Sequence, residues 1–301
     1  MKWTGEKISA PGIYAGLPLE VYHSDCCVGP SISSSGLRTI DSESPAHYWM
    51  GSYLNPERIP EERKDHFTLG QAAHHLFLGE ADFRKKFVLR PEKWADWRTK
   101  ESRDWRREQE EAGFAVLTAD MMGQIKGMAA SLAREPLIQQ GLLSGEIERS
   151  MIWQDPETGI WLKSRPDAIP NDTLIVDLKT TSSAAPEDVR RALASNGYHM
   201  QLALAGMGME ATLNRRPAND DYVLVFVESK PPYCVNIKPV DAEAIEYGRR
   251  QIRRAIRTFA RCLETGEWPG YADSGVTAHL PQFYLKQLQQ QEELGLLPEV
   301  A

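Results

Sequence analysis

The residues from Lys163 to Thr180 read Lys-Ser-Arg-Pro-Asp-Ala-Ile-Pro-Asn-Asp-Thr-Leu-Ile-Val-Asp-Leu-Lys-Thr. Side chains alternate faces along a strand, so Ile175, Asp177 and Lys179 share one face and Leu174, Val176 and Leu178 the other. An acid and a lysine therefore lie side by side, about 7 Å apart along the backbone, within an apolar run. Such a pair is costly unless it is solvated, paired or metal-bound. Asp167 stands ten residues before Asp177. If the two strands are neighbours, the carboxylates converge on one point. Two converging carboxylates suit Mg²⁺, a hard cation that takes oxygen ligands and keeps several waters. A lysine beside the metal can orient a bound water or stabilise charge on a pentavalent phosphorus. A structural Asp–Lys ion pair at a sheet edge is the plainer alternative.

These residues need a sheet to hold them. Glu148 to Gln154 and Gly159 to Ile169 are strand-like, joined by the turn Asp155-Pro156-Glu157-Thr158-Gly159. Thr173 to Thr180 is a third strand, and 187–208 a helix opened by Pro186 and Glu187. Tyr222 to Ser229 and Tyr233 to Pro239 follow as strands, turned by Pro231-Pro232. A long helix spans 240–265 and stops at Gly266 and Pro269. Upstream, 1–32 reads as an irregular lead-in and Ser33-Ser34-Ser35 as a helix start. Ala46 to Leu54 is a short helical stretch, and 67–78 and 118–143 are helices. The order of three strands, helix, two strands, helix predicts an α/β fold with a mixed sheet flanked by helices. Residues 1–285 are expected to form one domain, with its core at about 67–240, and 286–301 a tail.

Composition narrows the class. The chain has 301 residues, 42% of them hydrophobic and 26% charged, which excludes disordered, collagen-like and disulfide-scaffold proteins. Apolar runs are far shorter than the ~20 residues of a membrane span, and the N-terminus shows no apolar leader segment. The expectation is a cytoplasmic protein without a membrane role. Cys26 and Cys27 are adjacent and Cys234 and Cys262 isolated, so zinc and iron–sulfur spacings are absent. Free thiols are expected.

The net charge of −7 argues against an indiscriminate nucleic-acid coat but leaves room for local basic patches. Arg249, Arg250, Arg253, Arg254, Arg257 and Arg261 lie on an arc of about 140° of one helix. Arg250, Arg254 and Arg257 are candidates to face DNA or a neighbouring subunit; a solvated or salt-bridged face is equally open. Residues 84–107 hold ten bases against four acids, interleaved with Trp94, Trp97 and Trp105. These rings either stack on an unpaired base or pack in the core.

Pro166-Asp167 followed by Asp177-Leu178-Lys179 resembles the PD-(D/E)xK nuclease signature. Gly70-Gln71-Ala72-Ala73-His74 resembles the helix motif of the RecB-like and RecE-like branch. Glu148-Arg149-Ser150 resembles the acidic residue of its first core strand, and Tyr198-His199-Met200-Gln201 its Y-x-x-Q helix. Gly12-Ile13-Tyr14, Glu20-Val21-Tyr22-His23, Ile32 to Leu37 and Ser44 to Tyr48 are similar to RecE-type (exonuclease VIII-like) phage and prophage exonucleases. The resemblance covers roughly residues 10–270.

It implies that Asp167 and Asp177 bind metal together with the Leu178 carbonyl, and that Lys179 is the catalytic lysine. His74 would be a ligand or a neighbour of a second metal, and Glu148 would complete the carboxylate set. Tyr198 and Gln201 would hold the lysine, the water or the substrate phosphate. Ser33, Ser34 and Arg38 would hold a terminal phosphate. The implied activity is an Mg²⁺-dependent exodeoxyribonuclease, with Mn²⁺ substituting, that digests one strand of linear duplex DNA from the 5′ end. The implied partners are double-stranded DNA ends, further copies in a ring and a single-strand annealing protein in recombination. A RecB-like structure-specific endonuclease and a non-catalytic DNA-binding protein on the same fold remain alternatives.

Overall fold

Asp155 closes the turn that its sequence predicts. Its carboxylate accepts the Thr158 N–H at 3.0 Å and the Thr158 hydroxyl at 2.8 Å, and Gly159 takes a φ of +71°, which glycine adopts without a Cβ penalty. The flanking strands pair antiparallel, with Gln154 opposite Trp161.

The computed structural model describes residues 1–59, 65–79, 83–271 and 277–297. Met1–Trp268 form one unit and Pro269–Ala301 a second. The first half of the larger unit holds β1 (Gly12–Tyr14), α1 (Leu19–Tyr22), β2 (Ser31–Ser33), α2 (Ser34–Ser42), α3 (Pro45–Gly51), α4 (Asp65–Phe77), α5 (Phe83–Lys86), β3 (Phe87–Leu89), α6 (Lys100–Glu111), β4 (Ala115–Leu117), α7 (Ala119–Leu132) and α8 (Pro136–Gln139). The second half holds β5 (Glu146–Ile147), β6 (Ser150–Gln154), β7 (Trp161–Ser164), β8 (Ala168–Ile169), β9 (Ile175–Thr181), α9 (Pro186–Ser195), α10 (Tyr198–Leu213), β10 (Tyr222–Glu228), β11 (Val235–Pro239) and α11 (Ala242–Thr265). The second unit carries α12 (Gln282–Glu293), none of whose residues is buried.

The α/β class holds, but the strands form two main sheets instead of one. One has the order β1-β6-β7-β2, the other β11-β10-β9-β8-β5, and β3 and β4 pair separately. The expected strand 159–169 is two strands in different sheets, because the chain turns the corner at Arg165-Pro166-Asp167. Proline lacks an N–H and cannot continue a ladder. The lead-in is not irregular throughout: Gly12–Tyr14 pairs with β6 and Ser31–Ser33 with β7. The expected helix 187–208 breaks at Gly197, whose φ is +61°, and the helix 118–143 ends before Pro136.

The alternation read in the third strand is borne out. Ile175 joins one apolar cluster with Tyr222, Leu224 and Phe226, and Val176 and Leu178 join another with Val223, Val225 and Val227. Helices α4 and α7 cover the second face through Ala72, Ala73, Ile125, Met128 and Leu132. Helix α10 packs against strands of both sheets and against α2 and α11. It is apolar on all sides, burying Met200, Leu202, Ala203, Leu204, Ala205 and Met209, as a helix enclosed within a core must be. Among the described residues no helix is long and apolar enough to cross a membrane.

Candidate active site

Two strands bring the acids together. Strand β8 runs antiparallel to β9 with Ala168 opposite Val176, which sets Asp167 and Asp177 one step to the same side of that pair. The Asp167 carboxylate accepts the Leu178 N–H at 2.6 Å, so the ladder bond that β8 no longer supplies is made by the acid itself. Asp177 is 2% exposed. Its Oδ1 accepts the Gln201 amide at 2.7 Å, and the Gln201 carbonyl oxygen accepts from Lys179 Nζ at 3.1 Å. Lys179 forms an ion pair with Asp177 Oδ2, and its ammonium stands 4.6 Å from the centre of the Tyr198 ring. The Y-x-x-Q residues thus grip the lysine and one acid from the first turn of α10. Gly197 makes this possible: a Cβ there would come within 2.9 Å of Arg38 Cδ, on a backbone of positive φ.

Helix α4 approaches from the other side. A Cβ on Gly70 would lie 3.3 Å from Thr180 Oγ1, so the glycine lets the helix close on β9. One turn on, His74 places Nδ1 3.6 Å from Asp167 Oδ2. The neighbouring His75 is buried against Phe83 and Phe87, so the spacing that selects His74 over His75 is the one found.

Charges in this cluster set one another. Burial and the Asp167 charge push the Asp177 carboxyl above the usual carboxylate range. Burial acts the same way on Asp167, but His74 and Lys179 more than offset it and hold Asp167 below that range. Burial disfavours the Lys179 ammonium, yet the two carboxylates outweigh it and raise the lysine. Burial also lowers His74, and Asp167 reverses the sign, leaving the imidazole above its ordinary value.

The cluster opens into a cleft of ≈ 1300 Å³. Ser33, Ser34, Arg38, His74, Glu148, Asp167, Asp177 and Gln201 all line it, so widely separated candidates meet there. Glu148 is not on a core strand as expected. It sits between β5 and β6 with a φ of +45°, and its N–H bonds to the Asp167 carbonyl at 3.1 Å. Arg38 packs on Gly197 and donates to the Asn196 carbonyl, capping α9. Ser33 precedes α2 without a side-chain capping bond; its hydroxyl lies 3.0 Å from that of Ser35.

The arginine face is salt-bridged within the chain, the alternative its spacing left open. Arg250 pairs with Glu246 at 2.8 Å, Arg254 with Asp41 at 2.7 Å and Arg257 with Glu157 at 2.6 Å. Arg249 and Arg253 pair with Glu210 and Asp155. None of these arginines lines the cleft. The helix carries no acid of its own between 249 and 261, but distant elements bring acids to it. The tryptophans of 84–107 are half-buried in a stack of their own. Trp97 lies under Arg90 and Arg106, Trp94 under Lys93, and Trp105 beside both rings.

Reading the sequence alone overlooked Arg165, which lines the cleft beside Asp167. Its Nε donates to Ser150 Oγ at 2.9 Å and a terminal nitrogen donates to the Leu17 carbonyl at 2.7 Å. Adjacency to Pro166-Asp167 was the available signal.

The donor set fits a hard cation. Asp177 Oδ2 is buried with only the Lys179 ammonium against it, beside a second carboxylate. Mg²⁺ needs only one or two carboxylates because it keeps its waters. Among the described residues no three His, Cys, Asp or Glu side chains gather as a ready-made cluster.

No curated protein matches the chain. A proposed exonuclease from Eubacterium rectale shares the fold, with a TM-score of 0.56, 13% identity, and 89% of this chain and 94% of that one covered. A phage-related exonuclease from Haemophilus somnus 129PT aligns over 65% of this chain and 95% of its own, at 11% identity and a TM-score of 0.31, too low to carry an argument. Within the PD-(D/E)xK nuclease superfamily one family profile matches residues 33–278, and the chain belongs to that family, described as a PDDEXK-like domain of unknown function (DUF3799).

Proposed function

We propose that the protein is a metal-dependent exodeoxyribonuclease acting on linear duplex DNA. The carrying observation is the joined set Asp167, Asp177, Lys179 and Gln201, of which the two acids and the glutamine line one cleft. Asp167, Asp177 and the Leu178 carbonyl would hold Mg²⁺ or Mn²⁺, with Glu148 and His74 at the margin. When bound, the ion supplies Lewis acidity and a more acidic water.

The chain's own groups do the rest. The raised Lys179 stays an ammonium, so it acts as fixed positive charge beside the phosphorus and not as a base. Gln201 and the Tyr198 ring fix its direction. The Ser33–Ser35 segment and Arg38 lie at the N-terminus of α2, where backbone N–H groups favour an anion, and would receive a terminal phosphate. The near-complete burial of Asp177 favours one strand entering the cleft over an intact duplex. Digestion from the 5′ end, a ring of copies, a cytoplasmic location and work beside a single-strand annealing protein complete the proposal, on the likeness to RecE-type exonucleases.

Linear and covalently closed duplex are incubated with Mg²⁺, with and without excess chelator. Loss of the linear form alone, abolished by chelator and by Asp177→Ala, is the expected result. Digestion of the closed circle would assign an endonuclease, and full activity in chelator would remove the metal from the mechanism.

A further inference from the structure

Behind the N-terminal wall of the cleft lies a buried lysine with no carboxylate of its own. Lys163 on β7 is 2% exposed. Its ammonium donates to the Tyr22 carbonyl at 2.6 Å and the Ser24 carbonyl at 3.4 Å, and reaches Cys26 Sγ at 3.8 Å. The Tyr22 and Tyr53 rings stand 5.4 and 5.6 Å away. Asp25, next to Cys26 in the chain, is engaged by Lys7 at 2.5 Å. A buried ammonium is costly without an opposite charge, and the Cys26 sulfur is the ionisable group within its reach. The Cys27 sulfur lies 3.8 Å from that of Cys26. The hydrogen bond with Cys27 and the Lys163 charge hold the Cys26 thiol below its ordinary value against burial, and Cys27 is pushed above it. The Lys163 ammonium stands at Cys26 Sγ, so Cys26 is the sulfur placed beside a positive charge and Cys27 its neighbour.

We propose that Cys26 and Cys27 form an oxidation site for hydrogen peroxide, with Cys26 as the attacking sulfur and Cys27 as the resolving one. The Cys26 thiolate attacks one peroxide oxygen; the S–O bond forms, the O–O bond breaks, and hydroxide leaves to take up a proton as water. Cys27 then attacks the Cys26 sulfur; the S–S bond forms, the S–O bond breaks, and the departing oxygen leaves as a second water with the Cys27 proton. Two thiols lose two electrons and one peroxide becomes two waters. A disulfide between adjacent residues is shorter across its Cα atoms than the usual range and therefore readily reduced, which makes the change reversible by a dithiol.

Both sulfurs are buried, in a cluster with Ile8, Tyr14, Leu17 and Trp161, while His23, Asp25 and Val28 beside them in sequence are exposed. Peroxide needs a small opening there, whereas a maleimide needs a large one. Oxidation removes the negative sulfur from Lys163 and leaves it only backbone carbonyls. Tyr22 and His23, on the same turn, line the cleft, so the modification acts on its wall. The proposal does not depend on what the cleft hydrolyses.

The reduced full-length chain is treated with peroxide at neutral pH, then denatured, alkylated and mapped by peptide mass. Exposed Cys234 and buried Cys262 serve as internal references. The expected result is loss of both thiols at Cys26 and Cys27 as an intrachain disulfide while Cys262 stays reduced and the fold persists by circular dichroism. With maleimide the order should reverse, Cys234 reacting and Cys26 not. Cys27→Ser should leave a sulfenic acid on Cys26 that dimedone traps, and Cys26→Ser should leave Cys27 reduced. Consumption of Cys234 with Cys26 and Cys27 intact would overturn the proposal, as would oxidation of the pair only in step with unfolding, or a sulfenic acid on Cys27 in Cys26→Ser.

Discussion

Gln201 offers the sharpest perturbation of the cluster, because it touches two charged partners and carries no charge itself. Replacing it by alanine removes a donor 2.7 Å from Asp177 Oδ1 and an acceptor 3.1 Å from Lys179 Nζ. A hydrogen bond to a charged group is worth about 1.5–3 kcal/mol, so about 3–6 kcal/mol of local interaction is lost. The Lys179–Asp177 pair and the Tyr198 ring still hold the ammonium. If half the loss reappears as misplacement of the lysine at the transition state, the barrier rises by about 1.5–3 kcal/mol, a roughly 10- to 150-fold slower turnover. The assay is digestion of linear duplex at saturating DNA and Mg²⁺. Gln201→Glu is the control: it keeps an acceptor for Lys179 but turns the donor toward Asp177 into a third carboxylate, and should be slower than the alanine variant. Turnover of Gln201→Ala within about threefold of wild type would refute the claim that Gln201 positions the lysine.

The paired histidines should separate by readout. His75→Ala, which opens a gap against Phe83 and Phe87, should cost about 1–3 kcal/mol in denaturant unfolding, whereas His74→Ala should spare stability only at alkaline pH, where the imidazole is neutral, and should slow cleavage. In the metal-free protein His74 has a raised pKa, so its contribution to stability is complete below its unfolded value near 6.5 and is lost as pH rises through the folded value; His74→Asn should flatten that limb of the melting profile. Among the arginines, Arg254→Gln deprives an Asp41 carboxylate that is 3% exposed and should cost about 1–3 kcal/mol, while Arg250→Gln breaks an exposed pair and should cost less than about 0.5 kcal/mol. Equal losses in the two would contradict the burial argument.

The convergence of Asp167 and Asp177 was legible because strand alternation is strict and Pro166 marks a strand end. His74 and Gln201 were legible through resemblance, since a helix face alone does not distinguish packing from chemistry. The sheet change at Arg165 was not, because two buried strands in succession present the same apolar pattern as one long strand. The break at Gly197 was hidden because a lone glycine in an apolar helix pattern more often continues it. Strands β1 and β2 span three residues each, too few to show a period. The ion pairs of the arginine face were not legible for another reason. Its partners Asp41, Asp155, Glu157 and Glu210 come from the far side of the sequence, and helical periodicity says nothing about tertiary neighbours.

Because α10 buries most of its length, its stability depends on the neighbours that cover it. Its cover includes α11, where Gly248 lets the two helices cross so closely that a Cβ would lie 2.7 Å from the His199 carbonyl. During synthesis the strands bearing Asp167, Asp177 and Lys179 leave the ribosome well before α11 does. Gln201 and Tyr198 reach the lysine only once α10 is enclosed, which requires the chain to be made through about Thr265. A nascent chain therefore carries its acids without the grip that organises them. Assembly of the site is timed to the last helix of the larger unit, so an interrupted translation product is left incompetent by the same packing that completes the full-length protein.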